Sequence, residues 1–63
     1  MNLADQFLGL SKHKAQDTAE KLNIVFRLIR IDGDQYFTYP DDSRDDRVCV
    51  ELDNGRITKA IIQ

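Results

Sequence analysis

An unusual concentration of charge occupies the middle of the chain, where carboxylates and guanidinium groups fall close together at Asp41, Asp42, Arg44, Asp45, Asp46 and Arg47. Carboxylates at alternate positions are the ligands of a calcium loop, and Asp41, Ser43 and Asp45 fit its first, third and fifth positions. The sixth position, however, is Asp46 instead of glycine, and the twelfth is Leu52 instead of glutamate. The sequence therefore predicts no metal site, and these carboxylates are interpreted as solvated side chains that pair with the neighbouring arginines.

Two further residues, Cys49 and His13, have side chains that could take part in catalysis. A cysteine nucleophile needs an adjacent base, and His13 lies in another element with no motif that connects the two. The sequence also offers no glycine-rich phosphate loop and no carboxylate pair in an apolar setting. We therefore expect no catalytic residues and no cofactor, with His13 on the surface and Cys49 as a partly shielded structural thiol.

The composition indicates one domain, residues 1–63, with 41% hydrophobic and 32% charged residues. No apolar run approaches the roughly 18 residues that a membrane span requires, and the start of the sequence lacks the features of a signal peptide. The net charge is −2 and the basic residues are scattered, whereas nucleic-acid binding requires a basic patch. A single cysteine cannot form an internal disulfide, which is typical of a reducing compartment. We therefore expect a cytoplasmic protein whose partner is another protein.

The elements that position these side chains begin with two helices. Apolar residues at helical spacing, followed by Gly9, predict a short amphipathic helix over residues 2–8. Ser11 is a suitable N-cap for the main helix, predicted over residues 12–22. The apolar stripe of this second helix consists mostly of alanine, so we expect it to pack closely against a sheet.

Three strands are predicted from their β-branched and apolar residues, at 24–31, 47–52 and 56–62. The first reads as buried on both faces, and the second alternates like a half-buried strand. Asn54-Gly55 is a strong two-residue hairpin signal between the second and third strands. The predicted fold is therefore α+β: one main helix and a short N-terminal helix packed on a small three-stranded mixed sheet. A long exposed loop, Asp32 to Asp46, joins the first two strands in parallel.

The long loop contains residues that would keep it ordered. Pro40 fixes its own φ and biases Tyr39 toward an extended conformation. Arg44 and Arg47 lie among the aspartates and could tie the loop to the sheet through charge-assisted hydrogen bonds. Of the aromatic residues in this region, we expect Phe37 to cap the core and Tyr39 to contact a partner. Loops of this length in compact domains are usually functional or disordered, and this one is predicted to be presented in an extended, braced form.

Three short segments follow one another along the chain: RIDG after the first strand, PDDSRDDRV in the loop, and DNG followed by RITKAII in the hairpin. Together they resemble the potato inhibitor I type of serine protease inhibitor, especially its short bacterial relatives. The resemblance extends over about 15–62, and its most specific part is Arg44-Asp45-Asp46-Arg47-Val48. That segment matches the family's pattern of Arg, any residue and Asp-Arg-Val, where the loop enters the second strand.

In that family the exposed loop binds a protease as a substrate would, but so rigidly that cleavage is slow and the cut ends stay in place. The resemblance implies that Asp41 fills the specificity pocket and that the scissile bond joins Asp41 to Asp42. It also implies that Arg47 braces the loop from the second strand. Pro40 stands where the family usually has threonine, Cys49 where it has a second bracing arginine, and Gln63 where it ends in glycine.

The function implied is that of a protease-inhibitor-like protein that presents residues of about 38–46 to a partner. The predicted contact residues are Tyr39, Pro40, Asp41, Asp42, Ser43 and Arg44, supported by Asp46 and Arg47. A carboxylate is costly to bury in an apolar or acid-lined pocket, so Asp41 suits a serine protease that cuts after acidic residues. The alternative is a non-inhibitory cytoplasmic interaction or regulatory protein, for example of a phage or bacterium, that reuses the same scaffold.

Overall fold

The computed structural model describes residues 3–63 and has an α+β fold, as the sequence predicts. A short 3₁₀-helix, Leu3–Phe7, is followed by one α-helix, α1, at Lys12–Lys21. The four strands are β1 at Val25–Ile31, β2 at Asp34–Gln35, β3 at Arg47–Asp53 and β4 at Arg56–Ile62. Residue 2, part of the predicted first helix, lies outside the described residues. Between residues 3 and 63 no helix is both long and apolar enough to cross a membrane.

Local sequence signals set both ends of the helical region. Gly9 ends the first turns with a φ of 81°, a left-handed conformation in which glycine meets no Cβ penalty. The side chain of Ser11 then caps α1 by accepting a hydrogen bond of 3.3 Å from the backbone N–H of Lys14. Asn23, with a φ of 57°, follows the helix and turns the chain into β1. The predicted N-cap at Ser11 and the predicted stop of the first helix at Gly9 are thus confirmed.

The sheet is mixed, with strand order β2-β1-β3-β4. The predicted parallel pairing of β1 with β3 and the antiparallel β3-β4 hairpin are both confirmed. The prediction of three strands is wrong, because the chain reverses directly after β1 and adds the short strand β2. The reversal uses Asp32 and Gly33 at φ values of 50° and 88°, positive at both positions as a type I′ turn requires.

The hydrophobic core lies between α1, the 3₁₀-helix and one face of the sheet. Its buried members are Phe7, Ala15, Ala19, Val48, Val50, Leu52 and Ile57. The burial predicted for the strands is reversed in the structure: β3 is central and buried on both faces from Arg47 to Val50, whereas Val25 of β1 is 48% exposed. The second face of β3 is buried because the connection between β2 and β3 folds back over it.

Each neighbour of β3 contains one additional residue at the level of Glu51. In β1 the register passes from Leu28 to Arg30, so that Ile29 is the extra residue, and in β4 the extra residue is Thr58. Such a bulge reverses the alternation of side chains between the two faces. Core side chains accordingly come from Phe26 and Leu28 before the bulge in β1 and from Ile31 after it.

Candidate functional site

The connecting loop, residues 36–46, links β2 to β3 and is the candidate functional site. It is shorter than the predicted loop of residues 32–46, because the turn and β2 take its first residues. At its start, the backbone N–H groups of Tyr36 and Phe37 donate to the carbonyl oxygen of Ile29 at 2.8 and 3.2 Å. Further along, every side chain from Asp41 to Asp46 is exposed. The loop therefore begins on the sheet and presents its acidic stretch to solvent.

Arg47 braces the connecting loop from the first position of β3. Its side chain is only 7% exposed, and its Nη2 donates to the carbonyl oxygen of Asp42 at 2.9 Å and to Oδ1 of the same residue at 3.3 Å. The same nitrogen donates to the carbonyl oxygen of Gln63 at 2.7 Å. The predicted contact between Arg47 and the loop is therefore present, and the buried guanidinium joins the loop to the end of β4.

Gln63 is a second brace that the sequence did not predict. Its Nε2 donates to the carbonyl oxygen of Pro40 at 3.0 Å, and its own carbonyl oxygen accepts from the backbone N–H of Arg44 at 3.2 Å. Its backbone N–H donates in turn to the carbonyl oxygen of Arg47 at 3.1 Å. Pro40 on one side of the acidic stretch and Arg44 on the other are thereby both hydrogen-bonded to Gln63, which follows β4. The only sequence signal for this role is that the β3-β4 hairpin brings residue 63 beside Arg47.

A short-range ion pair stabilises the second half of the connecting loop. The guanidinium of Arg44 donates two parallel hydrogen bonds of 2.8 Å each to the carboxylate of Asp46, which is the bidentate geometry of the stronger ion pairs. This contact lowers the pKa of Asp46, and the pKa of Asp42 is lowered by its own backbone N–H and by Arg47. The carbonyl oxygen of Asp46 also accepts from the N–H of Val25 at 2.7 Å. Asp46 therefore contacts both the connecting loop, through Arg44, and β1, through Val25.

Tyr39 anchors the first half of the connecting loop to the sheet. Its hydroxyl donates a hydrogen bond to Oε2 of Glu51, whose other oxygen accepts from Nε of Arg30 at 2.7 Å. Arg30 also forms two hydrogen bonds of 3.0 Å with Asp53. Burial and the carboxylate of Glu51 raise the pKa of Tyr39, and the Tyr39 hydroxyl and Arg30 lower the pKa of Glu51. The hydroxyl of Tyr39 thus points to the sheet and not to a partner.

Phe37 does not have the role expected from the sequence. The residue is 57% exposed, so it does not cap the core. Its ring contacts the guanidinium of Arg27, whose carbon lies 5.7 Å from the ring centroid. The sequence interpretation of the two aromatics was therefore inverted: Tyr39 is the supporting residue and Phe37 the exposed one.

The thiol of Cys49 lies on the face of β3 that the connecting loop covers. Its exposed fraction is 0%, so the expected partial shielding is in fact complete. Burial raises the pKa of this thiol above its ordinary value. Because a thiolate is the reactive form, Cys49 is inert while the loop is in place.

The acidic stretch that remains outside these contacts is narrow. Among residues 3–63 no side-chain hydrogen bond or ion pair involves Asp41, Ser43 or Asp45, although their backbone neighbours are fixed from beneath. Within the same residues no group of three potential ligands is arranged to hold a metal ion. The site is therefore a braced loop in which the side chains of Asp41, Ser43 and Asp45 are exposed and make no contact of these kinds within the described residues.

Comparisons with protein-family models, with curated proteins and with solved structures gave no match to this chain. The resemblance to the potato inhibitor I family stays a prediction that rests on the residues of the loop and of the hairpin.

Proposed function

We propose that this protein binds a protein partner through residues 40–44 of the connecting loop, in the manner of a potato inhibitor I type inhibitor. The partner in this proposal is a serine protease that cuts after acidic residues. Asp41 enters its specificity pocket, and the Asp41-Asp42 peptide bond occupies the position of the bond to be cut.

One observation carries the proposal: the backbone on each side of Asp41 is held from beneath while its side chain is free. Pro40 is held by Gln63, and Asp42 is held by Arg47. A loop that already has its bound conformation avoids an ordering cost of roughly 0.5–1.5 kcal/mol for each immobilised side chain. The same bracing would keep the backbone from relaxing after attack, which favours slow cleavage over turnover.

Charge determines the class of protease. Asp41 is exposed and its carboxylate has no cationic partner among the described residues, whereas the two arginines of this region are engaged by Asp46 and Asp42. A basic pocket would supply the missing partner. An apolar or acid-lined pocket would leave a buried carboxylate uncompensated, which is strongly unfavourable.

The test is a panel of serine proteases that includes one cutting after glutamate and aspartate, with residual protease activity and the mass of the protein measured over time. We expect inhibition of the acid-specific enzyme alone, with slow, incomplete cleavage confined to the Asp41-Asp42 bond. Asp41→Arg should shift inhibition to an enzyme that cuts after basic residues. Asp45→Arg makes the same change of charge outside the proposed contact and should leave the specificity unchanged.

A second function is favoured by the same exposed Asp41, since few specificity pockets accept an acidic residue. In this alternative the braced loop binds a regulatory protein that is not a protease. Rapid digestion by every protease in the panel, with no change of specificity in Asp41→Arg, would reject the inhibitor proposal and favour the alternative. Capture of a partner that Asp41→Arg and Asp42→Asn no longer retain would then establish the role of the loop.

A further inference from the structure

The edge of β1 is open over its first half. Strand β2 pairs only with Arg30 and Ile31, so within residues 3–63 the segment Val25–Leu28 has β3 on one side and no strand on the other. The N–H of Val25 points toward β3, because it donates to the carbonyl oxygen of Asp46 at 2.7 Å. Alternation along the strand then directs the N–H and C=O groups of Phe26 and Leu28 to the open side. Unpaired groups of this kind are a template for an added strand.

This open edge forms the floor of a groove with a volume of about 340 Å³. Lys12 and Gln16 of α1 form one wall, and Phe37 of the connecting loop forms the other. The volume lies in the lower part of the range of roughly 300–1,000 Å³ that is typical of ligand pockets. Val25 and Phe37 are 48% and 57% exposed, so the groove also offers apolar surface that nothing in the described chain covers.

The charges of the groove select its occupant. Lys12 and Arg27 are the titratable residues that line it, and no carboxylate of the described residues lies among the lining side chains. The protein as a whole has a net charge of −2, so the groove is positively charged although the whole protein is negatively charged. A second copy of the chain is disfavoured, because antiparallel pairing of two β1 edges would bring their Arg27 side chains together.

We propose that the groove binds an extended acidic peptide segment of a partner protein, which adds as a strand beside Val25–Leu28. Its backbone pairs with Phe26 and Leu28, its acidic side chains contact Lys12 on the α1 side of the added strand and Arg27 on the other side, and an apolar side chain packs against Phe37. This surface is separate from residues 40–44, and the proposal is independent of protease inhibition.

The probe is an acetylated and amidated heptapeptide with glutamate on both faces of an added strand, Thr-Glu-Glu-Val-Glu-Glu-Thr, titrated into the uniformly ¹⁵N-labelled protein. We expect saturable changes in the amide signals of Phe26 and Leu28, with little change at residues 41–43. Two control peptides keep the length and residue order of the probe. One has lysine in place of each glutamate, and the other has alternate backbone nitrogens methylated. The proposal predicts that neither binds, since the first repels Lys12 and Arg27 and the second cannot complete the strand.

Charge reversal in the protein makes the test sharper. Arg27→Glu should weaken binding of the glutamate peptide by about tenfold and permit binding of the lysine peptide, because like charges across an interface are unfavourable. Arg56→Glu changes an exposed arginine of β4 and should leave binding unchanged. Equal binding of the methylated peptide, no spectral change at millimolar concentration, or concentration-dependent shifts at Phe26 without peptide would each overturn the proposal. The last of these results would identify a second copy as the occupant.

Discussion

The side chain of Gln63 donates to the carbonyl oxygen of Pro40 at 3.0 Å, a contact between residues 23 positions apart in the chain. Arg47 makes the corresponding contact with the carbonyl oxygen of Asp42 at 2.9 Å. The carbonyl of Asp41 lies between these two fixed points. Both braces meet at Gln63, whose carbonyl oxygen accepts from Arg47 at 2.7 Å, so the order of the acidic stretch depends on one buried arginine and one glutamine.

Removal of the Gln63 side chain should loosen the connecting loop more than it destabilises the fold. Gln63→Ala loses one hydrogen bond, which is worth about 1 kcal/mol of unfolding free energy. We expect faster amide exchange and faster limited proteolysis around Pro40. Gln35→Ala is the matched control, because Gln35 donates to the carbonyl oxygen of Phe37 only two residues away. Equal protease sensitivity of the two variants would show that Gln63 is not a brace.

Replacement of Arg47 should affect both stability and the shielding of Cys49. Arg47→Met keeps much of the buried volume but removes the side-chain donor of the Asp42 carbonyl and one of the two donors of the Gln63 carbonyl, and we expect a loss of about 2–3 kcal/mol. Chemical denaturation measures that loss, and the rate at which a thiol reagent labels Cys49 measures the opening of the loop. Arg44→Met removes an exposed pair and should have the smaller effect on both. A labelling rate unchanged in Arg47→Met would contradict the bracing role.

The connecting loop should become less stable in acid. The pKa values of Asp42 and Asp46 are both lowered in the folded protein by hydrogen bonds to their charged forms. The unfolded chain therefore binds more protons in this range, so their contribution is present above the ordinary value of about 4 and is lost as the pH falls through the folded values. We expect the unfolding free energy to decrease below about pH 4, with loss of order around Asp42 in amide spectra.

The carboxamide variants provide the control for this pH dependence. Asp42→Asn and Asp46→Asn should be less stable than the wild type at neutral pH and should lose less on acidification. Asp41→Asn changes a carboxylate that has no side-chain partner among residues 3–63 and should follow the wild-type profile. An identical acid profile in all three variants would indicate that these contacts do not order the loop.

Tyr39 should resist ionisation. Burial and the neighbouring Glu51 raise its pKa, so the folded state favours the neutral hydroxyl; this contribution is present below the unfolded value of about 10 and is lost at higher pH. Tyrosinate absorbance of the Tyr36→Phe variant isolates Tyr39, and we expect little ionisation near pH 10 until the protein unfolds. Tyr39→Phe should release the loop from Glu51 and speed labelling of Cys49. Ionisation at the pH of a free tyrosine would rule out the hydrogen bond.

Local signals predicted the elements whose formation depends on a few adjacent residues. Ser11 and Gly9 indicate the helix boundaries. Asn54-Gly55 indicates the hairpin because asparagine and glycine tolerate the positive φ values that its turn requires. Asp32-Gly33 carries the same signal, although the prediction places it in the long loop, so the residue types also indicate the turn that leads into β2. The error arose because β2 has only two residues and no apolar pattern of its own.

The contacts that could not be predicted join residues far apart in the chain. Arg47 was identified through its motif, but its second partner, Gln63, depends on how β3 and β4 align. The burial of Cys49 depends on a loop that folds over the sheet, and alternation within β3 alone cannot reveal that cover. Tyr39 could be placed only once Glu51 and Arg30 were known to share one face of the sheet.

The two bulges beside Glu51 have a consequence for the shape of the sheet. Ile29 in β1 and Thr58 in β4 make both neighbours of β3 one residue longer than β3 itself at this level. A surface whose flanks are longer than its midline has saddle curvature, which is the geometry of a strongly twisted sheet. A deletion of either extra residue would therefore remove one bulge and reduce the twist on one side of β3 only.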